Sequence, residues 1–338
     1  MQAYRVLSGR GREALERVDL EPSELSPHEV RIRVHAVALN YRDLMIAQGN
    51  YPVSTDRPPI AVADGAGEVT DLGDAVTRFK IGDRVTRTYF SEWFDGPPTF
   101  GNTAIVPGAS VDGMLAEQVS VHEDHLVAVP PHLSYQEAAS LSCAGVTAWN
   151  ALFVEGRVQP GNTVLLLGTG GVSIWALQLA KAAGLRAIIT SSSDEKLERA
   201  RKLGADEVIN YRTIPEWHEE VLRMTGGTGV DLTLEIGGRE TLNRSVAATR
   251  LGGIVVLIGG VNGFTAQLDI VPLLVGHKHL IGIAVGSRAM FEALNRFVSL
   301  TGIKPAIDRV FPFEQAREAL LYLEGAGHLG KVIIDLEH

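Results

Sequence analysis

The chain has 338 residues, enough for two domains, and its 45% apolar and 21% charged residues argue against extensive disorder. The formal net charge of -9 would repel phosphate backbones, so nucleic acid is excluded as an expected partner. The single cysteine, Cys143, excludes an intramolecular disulfide and a four-cysteine zinc site.

The first 125 residues are rich in patterns typical of β-strands. Residues 30–37 (VRIRVHAV) alternate apolar and charged side chains, which indicates a strand with one buried face. Residues 67–85 predict strands separated by Gly-Asp turns. Residues 89–110 combine glycine, proline and aromatic residues and predict a long loop. The aromatic side chains of this loop either line an apolar substrate pocket or pack beneath the loop.

From residue 163 onward, predicted strands alternate with helices. The strands are continuous apolar runs, as expected for strands buried on both faces, and they indicate a parallel, doubly wound sheet. The predicted elements are strands 163–168, 186–192, 206–211, 230–238, 252–260 and 331–336, and helices 173–184, 194–203, 289–301 and 313–323. Residues 158–180 carry no charge, but the glycine and proline turns within them favour a buried α/β core over a membrane span.

A glycine-rich turn follows the first of these strands, in the segment 165–173 (LLLGTGGVS). Gly168 permits a tight turn, and Gly170 lets the backbone approach the pyrophosphate of a dinucleotide. The next helix offers its N-terminal N–H groups to the same anion. Ser173 replaces the third glycine of the usual fingerprint with another small residue. Because a strand precedes the turn and a helix follows it, a dinucleotide site is favoured over an ordinary glycine-rich turn.

The end of the second strand indicates which dinucleotide is bound. NAD sites place an aspartate or glutamate there, to hold the adenosine ribose. Residues 190–193 are Thr-Ser-Ser-Ser, and the next acid, Asp194, is expected to cap the following helix. Small hydroxyl residues leave room for a 2′-phosphate, and Lys196 is close enough in sequence to add positive charge. We therefore predict NADPH (NADP) as the cofactor; the alternative is that the serines only cap the helix and Lys196 is solvated.

Three further segments carry a resemblance to a known family. Residues 40–52 (NYRDLMIAQGNYP) closely resemble the motif that enoyl reductases of polyketide and fatty acid synthases carry at this place. Residues 65–69 (GAGEV) and 81–85 (IGDRV) are similar to the GroES-like β-barrel of medium-chain dehydrogenases/reductases. Over nearly its whole length the chain resembles this superfamily, on its zinc-free quinone oxidoreductase and enoyl reductase side.

The resemblance implies an α/β fold: a Rossmann doubly wound parallel sheet plus a discontinuous GroES-like β-barrel domain. The expected domains are residues 1–125 and 286–338 for the GroES-like substrate domain and 126–285 for the dinucleotide-binding domain. The resemblance also implies a small-molecule substrate and a homodimer or homotetramer joined through strands near residues 280–286. Because the N-terminal residues lack the apolar core of a signal peptide, we expect a cytoplasmic protein without a membrane partner.

The zinc ligands of related alcohol dehydrogenases are missing at the positions that the resemblance identifies. Asn40 takes the place of the first cysteine, and Ala63-Asp64 replaces a His-Glu pair. Only Cys143 matches a ligand position, whereas a catalytic zinc needs three protein ligands. The loop after Val85 lacks the four cysteines of a structural zinc site. We therefore predict no bound metal, with Cys143 as a small buried residue near the cofactor.

The resemblance also implies contacts with each part of the cofactor. Thr147 would lie against the nicotinamide, and Lys331 falls where a basic residue often meets the pyrophosphate; the alternative for Lys331 is a solvated lysine at the start of a strand. The remaining expected cofactor contacts are Gly168, Thr169, Gly170, Gly171 and Val172 in the glycine-rich turn, Ser191, Lys196 and Tyr211 at the adenosine phosphate, and Ile258, Gly259, Ile283 and Val285 along the nicotinamide end.

Loss of the metal favours a reaction that needs a weaker electrophile. Hydride addition to a conjugated C=C or a quinone spreads charge onto a distant oxygen, which neutral hydrogen-bond donors stabilise. Asn40 is the expected donor. Tyr41 or water would supply the proton, and Asp43 either takes part or only orients Arg42 or the backbone. The leading hypothesis is an NADPH-dependent enone, enoyl or quinone reductase; the alternatives are a zinc-free alcohol or aldehyde dehydrogenase and an NADPH-binding protein with little turnover.

Overall fold

The computed structural model describes residues 1–53 and 56–337. The strands, in chain order, are β1 (Gln2–Val6), β2 (Leu15–Asp19), β3 (Glu29–Ala38), β4 (Asp64–Leu72), β5 (Arg84–Arg87), β6 (Gln118–His122), β7 (Leu126–Ala128), β8 (Thr163–Leu166), β9 (Arg186–Ser191), β10 (Glu207–Asn210), β11 (Val230–Glu235), β12 (Thr249–Leu257), β13 (His279–Gly282), β14 (Ile307–Pro312) and β15 (Lys331–Asp335). The helices are α1 (Tyr41–Ala47), α2 (Tyr135–Ala139), α3 (Val146–Trp149), α4 (Gly171–Ala182), α5 (Asp194–Lys202), α6 (Trp217–Met224), α7 (Leu242–Ala248), α8 (Val271–Val275), α9 (Arg288–Thr301) and α10 (Ala316–Glu324), with π-helical turns at Leu141–Gly145 and Asn150–Val154 on either side of α3.

The chain divides into two compact units. Unit 1 contains Met1–Val146 and the stretch that begins at Gly286, and unit 2 contains Thr147–Val285. The first boundary therefore lies at residue 146 rather than at the expected residue 125. The reason is that β7 pairs antiparallel with β5, with Leu126 opposite Arg87, and that α2 and the π-helical turn after it contact the sheet of unit 1 at β3 and β4.

Unit 2 is built on a six-stranded parallel sheet. The strand order is β10-β9-β8-β11-β12-β13, and each neighbouring pair is parallel. Leu165, Ile188 and Leu234, on three adjacent strands, are fully buried, as their continuous apolar runs predict. The predicted doubly wound parallel sheet is confirmed. Its order reverses between β8 and β11, where the carboxyl ends of the strands form a ligand crevice in folds of this type.

Unit 1 contains a seven-stranded sheet in which β15 lies between β14 and β3. The pairing of β15 with β3 is antiparallel, with Ile333 opposite Ala38. Just beyond β3, the N–H of Leu39 donates to the main-chain oxygen of Val332 at 3.0 Å. This register brings the residues that follow β3 against Lys331, the first residue of β15.

The start of α5 differs from the sequence-based expectation. Asp194 is the first helical residue and not the cap; the cap is Ser193, whose Oγ accepts a hydrogen bond from the N–H of Lys196 at 3.3 Å. Ser193 has the extended backbone that a capping side chain needs, whereas the Asp194 carboxylate accepts from the side-chain amide of Asn210 at 2.7 Å. Within the hydroxyl run, Ser191 thus ends β9 and Ser193 caps α5.

Two segments with unusual composition adopt the structures expected from their turn residues. Residues 89–110 contain turns and an isolated bridge between Pro107 and Val111. Residues 158–180 form a turn, β8, the glycine-rich turn and most of α4. Within the ranges 1–53 and 56–337, none of the helices combines the length and the apolar content needed to cross a bilayer.

Candidate active site

The glycine-rich turn connects β8 to α4 with the geometry of a dinucleotide site. Gly168 has φ +71°, a conformation that side chains disfavour, and a Cβ there would lie 3.2 Å from Cδ1 of Ile236. Gly170 is the N-cap of α4, a twelve-residue helix, and a Cβ built on it would meet nothing within 4 Å. The backbone at Gly170 is therefore open to a ligand, and the turn fits a pyrophosphate at the helix N-terminus.

Ser173 explains how this turn tolerates the loss of its third glycine. The side chain is fully buried, and its Oγ donates to the main-chain oxygen of Leu167 at 2.6 Å. The hydroxyl thus closes the turn from within and leaves no unsatisfied polar group in the helix–strand contact. The remaining residues expected at the pyrophosphate, Thr169, Gly171 and Val172, lie in the same turn or in the first turn of α4.

The carboxyl end of β9 is neutral and lined by hydroxyl groups. The buried Ser191 Oγ lies 3.5 Å from Oγ1 of Thr169 and accepts from the N–H of Ser193 at 3.4 Å. Tyr211 follows β10; its N–H donates to the main-chain oxygen of Ser191 at 3.1 Å, and its side chain is 41% exposed. Lys196, on the first turn of α5, is half-buried. The structure therefore brings Thr169, Ser191 and Tyr211 together, with Lys196 on the adjoining helix.

The residues expected along the nicotinamide lie at the carboxyl ends of neighbouring strands. The N–H of Ile258 donates to the main-chain oxygen of Glu235 at 2.8 Å, and that of Ile283 donates to Leu257 at 3.0 Å. Gly259 follows Ile258 directly after β12. These backbone segments of unit 2 therefore lie side by side at the carboxyl ends of β11, β12 and β13.

Two buried polar residues of unit 2 were missed by the sequence reasoning. Glu235, at the end of β11, is fully buried and accepts from the N–H groups of Gly237 and Gly238 at 2.6 and 2.9 Å, which fixes the loop after this strand. Asn150 donates to the main-chain oxygen of Val285 at 2.8 Å, and Val285 has the strained φ of +48°. A charged residue ending an apolar strand was the available signal for Glu235; Asn150 had none.

Thr147, expected against the nicotinamide, is buried in the helical stretch around α3. Its neighbour along the helix, Asn150, is the residue that holds Val285. Both belong to unit 2, as do the other expected cofactor contacts except Lys331.

In unit 1, Asn40 is held at the junction between β3 and α1. It is the N-cap of α1, and its N–H donates to Oδ2 of Asp43 at 2.8 Å. Asp43 is buried, and burial raises the pKa of its carboxyl despite the nearby Arg42 guanidinium. Asp43 therefore orients the backbone of Asn40, which is one of the two roles considered for it; a part in the reaction stays a prediction.

Lys331 lies beside Asn40, and the structure contradicts one of the two roles considered for it. The side chain is 2% exposed, so the solvated alternative is wrong. Its Nζ donates to the main-chain oxygen of Leu39 and to Oδ1 of Asn40, each at 2.6 Å. These contacts lie within unit 1 and use two of the three donors of the ammonium; the expected pyrophosphate contact stays a prediction. The pairing of β15 with β3 is the physical cause of these contacts, because it places the start of β15 against the end of β3.

Asp64 and Cys143 complete the polar cluster around Asn40. The N–H of Cys143 donates to Oδ2 of the fully buried Asp64 at 3.2 Å. Burial raises the pKa of Asp64 to about 6, although the Lys331 charge and the Asn40 amide both lower it. Burial, together with the Asp64 carboxylate, also raises the pKa of the Cys143 thiol, which is half-buried.

Tyr41 and Arg42 point to different environments. Tyr41 is 46% exposed, whereas Arg42 is buried and donates to the main-chain oxygen of Pro107 at 2.9 Å. The Arg42 guanidinium also lies over the rings of Tyr51 and Tyr89, 5.1 and 5.4 Å from their centroids. Arg42 is therefore part of the packing beneath the loop, and Tyr41 is the side chain of this pair that solvent reaches.

Some aromatic side chains of the loop 89–110 are buried and others are exposed. Tyr89, Phe90 and Trp93 are buried, with the rings of Tyr89 and Phe90 edge to face. Phe100 is fully exposed, and Phe94 lies beneath the Arg288 guanidinium, 4.7 Å from its ring centroid. For the three buried rings the packing alternative is the one that the structure supports.

The residues at the expected zinc position do not fit a zinc ion. Across residues 1–53 and 56–337, no group of three or more His, Cys, Asp or Glu side chains is placed to hold a metal. Asn40 is a weak ligand, and the Lys331 ammonium bonded to it would repel a cation.

We expect the purified protein to contain no tightly held zinc. The amide of Asn40 and the methyl group of Ala63 cannot replace a thiolate and an imidazole. Elemental analysis by mass spectrometry, before and after treatment with a chelator, measures this directly. Stoichiometric zinc whose removal abolishes activity would contradict the expectation.

The variant Asp64→Asn should raise stability more at alkaline than at acidic pH. The folded pKa of about 6 exceeds the ordinary value of 3.8, so folding favours the protonated acid, and stability is lost as pH rises through this interval. The amide of the variant does not ionise and would have no such loss, a difference of up to roughly 3 kcal/mol between about pH 4 and pH 8. Urea unfolding of both proteins at the two pH values tests it; an equal stability difference at both would contradict the burial argument.

Two family models match this chain. The alcohol dehydrogenase GroES-like domain covers residues 26–131, and the zinc-binding dehydrogenase domain covers residues 171–299. The second description names a metal, whereas residues 1–53 and 56–337 contain no group of three or more His, Cys, Asp or Glu side chains placed to hold one. A zinc-type alcohol dehydrogenase-like protein of Schizosaccharomyces pombe is 42% identical over 322 residues, 94% of this chain and 93% of that protein.

Solved structures extend the similarity to the whole fold. The crystal structure of an NAD-dependent alcohol dehydrogenase matches with a TM-score of 0.91 and 33% identity, covering 99% of this chain and 100% of the other. A quinone oxidoreductase of Pseudomonas syringae pv. tomato matches with a TM-score of 0.84 and 28% identity, covering 99% of both chains. A quinone oxidoreductase is thus among the structural relatives of this chain. With its glycine-rich turn, parallel sheet and GroES-like unit, the chain belongs to the medium-chain dehydrogenase/reductase superfamily of oxidoreductases.

Proposed function

We propose that the protein is an NADPH-dependent, zinc-free reductase of a conjugated C=C bond or a quinone. The observation that carries the proposal is the environment of Asn40, a buried amide that is bonded to Lys331 at the position where the family resemblance implies a metal ligand. Such a group provides neutral hydrogen-bond donors and no Lewis acid of its own. An enone or quinone is the substrate class that needs no more than this.

The residues of unit 2 fit a nicotinamide dinucleotide. The open backbone at Gly170 and the N-terminus of α4 would hold the pyrophosphate. Thr169, Ser191, Lys196 and Tyr211 would hold the adenosine phosphate, with no carboxylate at the end of β9 to repel it. The cofactor, when bound, supplies the hydride.

The proposed reaction assigns two tasks to residues of unit 1. As the new C–H bond forms at the β-carbon, the electron pair of the C=C bond moves toward the carbonyl oxygen, and the Asn40 amide would donate a hydrogen bond to that oxygen. A proton then reaches the α-carbon and completes the saturated product. Tyr41, whose side chain is exposed, would deliver this proton, or water would do so in its place.

A zinc-free alcohol or aldehyde dehydrogenase is the second candidate, because the names of two relatives contain alcohol dehydrogenase. Hydride transfer to a simple ketone leaves an alkoxide, which needs a stronger electrophile than an amide. The Asn40 amide therefore favours the reductase, whereas the names of these two relatives favour the dehydrogenase.

Consumption of NADPH and NADH with a panel of quinones, enones, aldehydes and alcohols decides between the candidates. The proposal expects turnover of a quinone or enone, with NADPH preferred. Efficient alcohol oxidation without quinone or enone turnover would support the dehydrogenase instead. Thermal stabilisation by NADPH without turnover of any substrate would indicate a cofactor-binding protein.

We also propose that the protein forms a homodimer or homotetramer through an apolar surface of unit 2. β13 lies at the edge of the parallel sheet, and the nearby α8 exposes apolar side chains. The large exposed apolar side chains in and near this region are Leu251, Val261, Phe264, Ile270, Val271, Leu274 and Val275. Apolar patches of this kind and free strand edges are the usual features of protein interfaces.

Replacing Leu274 by aspartate should convert the assembly to monomers. Leu274 is 73% exposed on α8, and a buried carboxylate at an interface would cost several kcal/mol. Light scattering coupled to size-exclusion chromatography measures the mass. Leu300→Asp is the matched control, since Leu300 is 87% exposed on α9 in unit 1. A wild-type monomer, or dissociation by both variants alike, would overturn this interface.

A further inference from the structure

Lys331 is buried beside the proposed substrate-binding amide, yet the function proposed above gives it no task. Its Nζ donates to the main-chain oxygen of Leu39 and to Oδ1 of Asn40, each at 2.6 Å, and the side chain is 2% exposed. An ammonium that leaves water loses hydration and must regain hydrogen bonds from the protein. The two short bonds provide that compensation, and one of them falls on the residue proposed to contact the substrate.

The chemistry of this contact fixes which way the Asn40 amide faces. An ammonium has only donors, so the atom that faces Lys331 must be the carbonyl oxygen, and Nδ2 faces away. On its other side, Nδ2 lies 3.4 Å from the main-chain oxygen of Ala38, and the amide lowers the pKa of Asp64. A carbonyl and a carboxylate are both acceptors, so they favour the same orientation. The bond to Ala38 is long and weak enough to be exchanged for another acceptor.

The backbone of Asn40 is fixed independently of its side chain. Its N–H donates to Oδ2 of Asp43 at 2.8 Å, and the preceding N–H, of Leu39, donates to Val332 in β15 at 3.0 Å. With the backbone held, the orientation of the amide depends on the contacts of the side chain itself. These are the capping contact with the N–H of Asp43 and the hydrogen bond from Lys331 to Oδ1, which is 2.6 Å long.

We propose that Lys331 is a positioning residue that holds the Asn40 amide so that its N–H group, and not its carbonyl, is presented to the substrate oxygen. The inference rests on the proposed role of Asn40 and adds the residue on which that role depends. In the opposite orientation, the carbonyl of Asn40 would face the oxygen that gains negative charge and would destabilise the transition state.

The first test observes the amide itself, without substrate. In protein labelled with 15N-asparagine, the side-chain resonances of Asn40 are identified by their loss in Asn40→Ala. Lys331→Met should shift these resonances and speed their hydrogen exchange, because the bond to Oδ1 is lost. Lys181→Met is the matched control: Lys181 also donates to one main-chain oxygen, of Leu185, and to one side-chain oxygen, of Asp206, within unit 2. Unchanged Asn40 resonances in Lys331→Met would overturn the proposal.

The second test is a double-mutant cycle with a quinone or enone that the wild type reduces. Lys331→Met should lower kcat about tenfold or more and leave the dissociation constant of NADPH within about twofold. Because Lys331 acts through Asn40, the Asn40→Ala, Lys331→Met double variant should be no slower than Asn40→Ala. Multiplied losses would contradict the proposal, as would a weaker affinity for NADPH with kcat unchanged, which is the signature of a pyrophosphate contact.

A conservative variant keeps the test valid if Lys331→Met folds poorly. Lys331→Arg retains the charge and the donors and should recover most of the kcat, whereas Lys331→Gln, which can turn its own carbonyl toward Asn40, should not. Equal activity of the two would overturn the proposal. The amide resonances need no turnover, so failure of the reductase assignment is distinguishable from failure of the Lys331–Asn40 contact.

Discussion

Replacing Asn40 by alanine is expected to lower kcat for a quinone or enone about 100-fold, while the dissociation constant of NADPH changes little. The physical reason is that the amide would donate to the oxygen on which charge develops, and the loss of one such donor costs about 3 kcal/mol of barrier. The cofactor contacts proposed above lie in unit 2, whereas Asn40 belongs to unit 1, so binding of NADPH should be preserved. Steady-state rates and fluorescence titration with NADPH measure the two quantities separately.

Tyr41→Phe is the companion variant for this experiment. It removes a hydroxyl from the exposed side chain next to Asn40, and a smaller loss is expected because water can deliver the final proton. A thermal melt of each variant checks folding, since Asn40→Ala leaves the Lys331 ammonium with one bond fewer. If Asn40→Ala retains wild-type kcat, Asn40 is not the donor, whatever the substrate proves to be.

The second large effect is expected at Ser191, the last residue of β9. Ser191→Asp should lower kcat/KM with NADPH about 100-fold and raise it with NADH. A carboxylate at the end of β9 is the feature that holds the ribose hydroxyls in NAD sites, and it repels a 2′-phosphate. Two unit charges about 4 Å apart near a protein surface interact by roughly 4 kcal/mol, which is more than enough for this change.

Ser191→Asn is the matched control, because asparagine has the shape of aspartate without the charge. It should weaken NADPH binding by crowding alone and should not improve NADH. The ratio of kcat/KM for the two cofactors is the measurement for all three proteins. A wild type that already prefers NADH, or an unchanged ratio in Ser191→Asp, would show that the hydroxyl run at residues 190–193 does not select NADPH.

The parallel sheet of unit 2 could be predicted because its signals are local. Residues 163–166 (TVLL) and 254–257 (IVVL) are short, mainly apolar runs, and a strand buried on both faces requires such a run whatever its neighbours are. Glycine turns and helical spacing between the runs then determine the strand–helix alternation. The helix start at Asp194 shows the limit of this reasoning, since neighbouring serines and an aspartate are all good caps and only the backbone conformation identifies Ser193.

The contacts of Lys331 could not be predicted from the sequence, because they depend on the pairing of distant strands. A lysine at the start of an apolar strand is compatible with a solvated side chain, a phosphate contact or a buried bond. Its partners, Leu39 and Asn40, lie 292 and 291 residues away along the chain. The boundary of unit 1 also depends on distant contacts. It lies at residue 146 and not at residue 125 because β7 pairs with β5 and because α2 and the turn after it contact β3 and β4.

The central place of β15 in unit 1 has a consequence for how a growing chain acquires its fold. Unit 2 is a single continuous segment, Thr147–Val285, so all of its strands have left the ribosome before β15 is translated. The sheet of unit 1 cannot be completed at that point, because β3 lacks its neighbour β15 until Lys331–Asp335 leave the ribosome. During synthesis, therefore, the dinucleotide-binding unit can form first, and the Asn40 cluster is assembled only as one of the last steps, when Lys331 arrives to complete it.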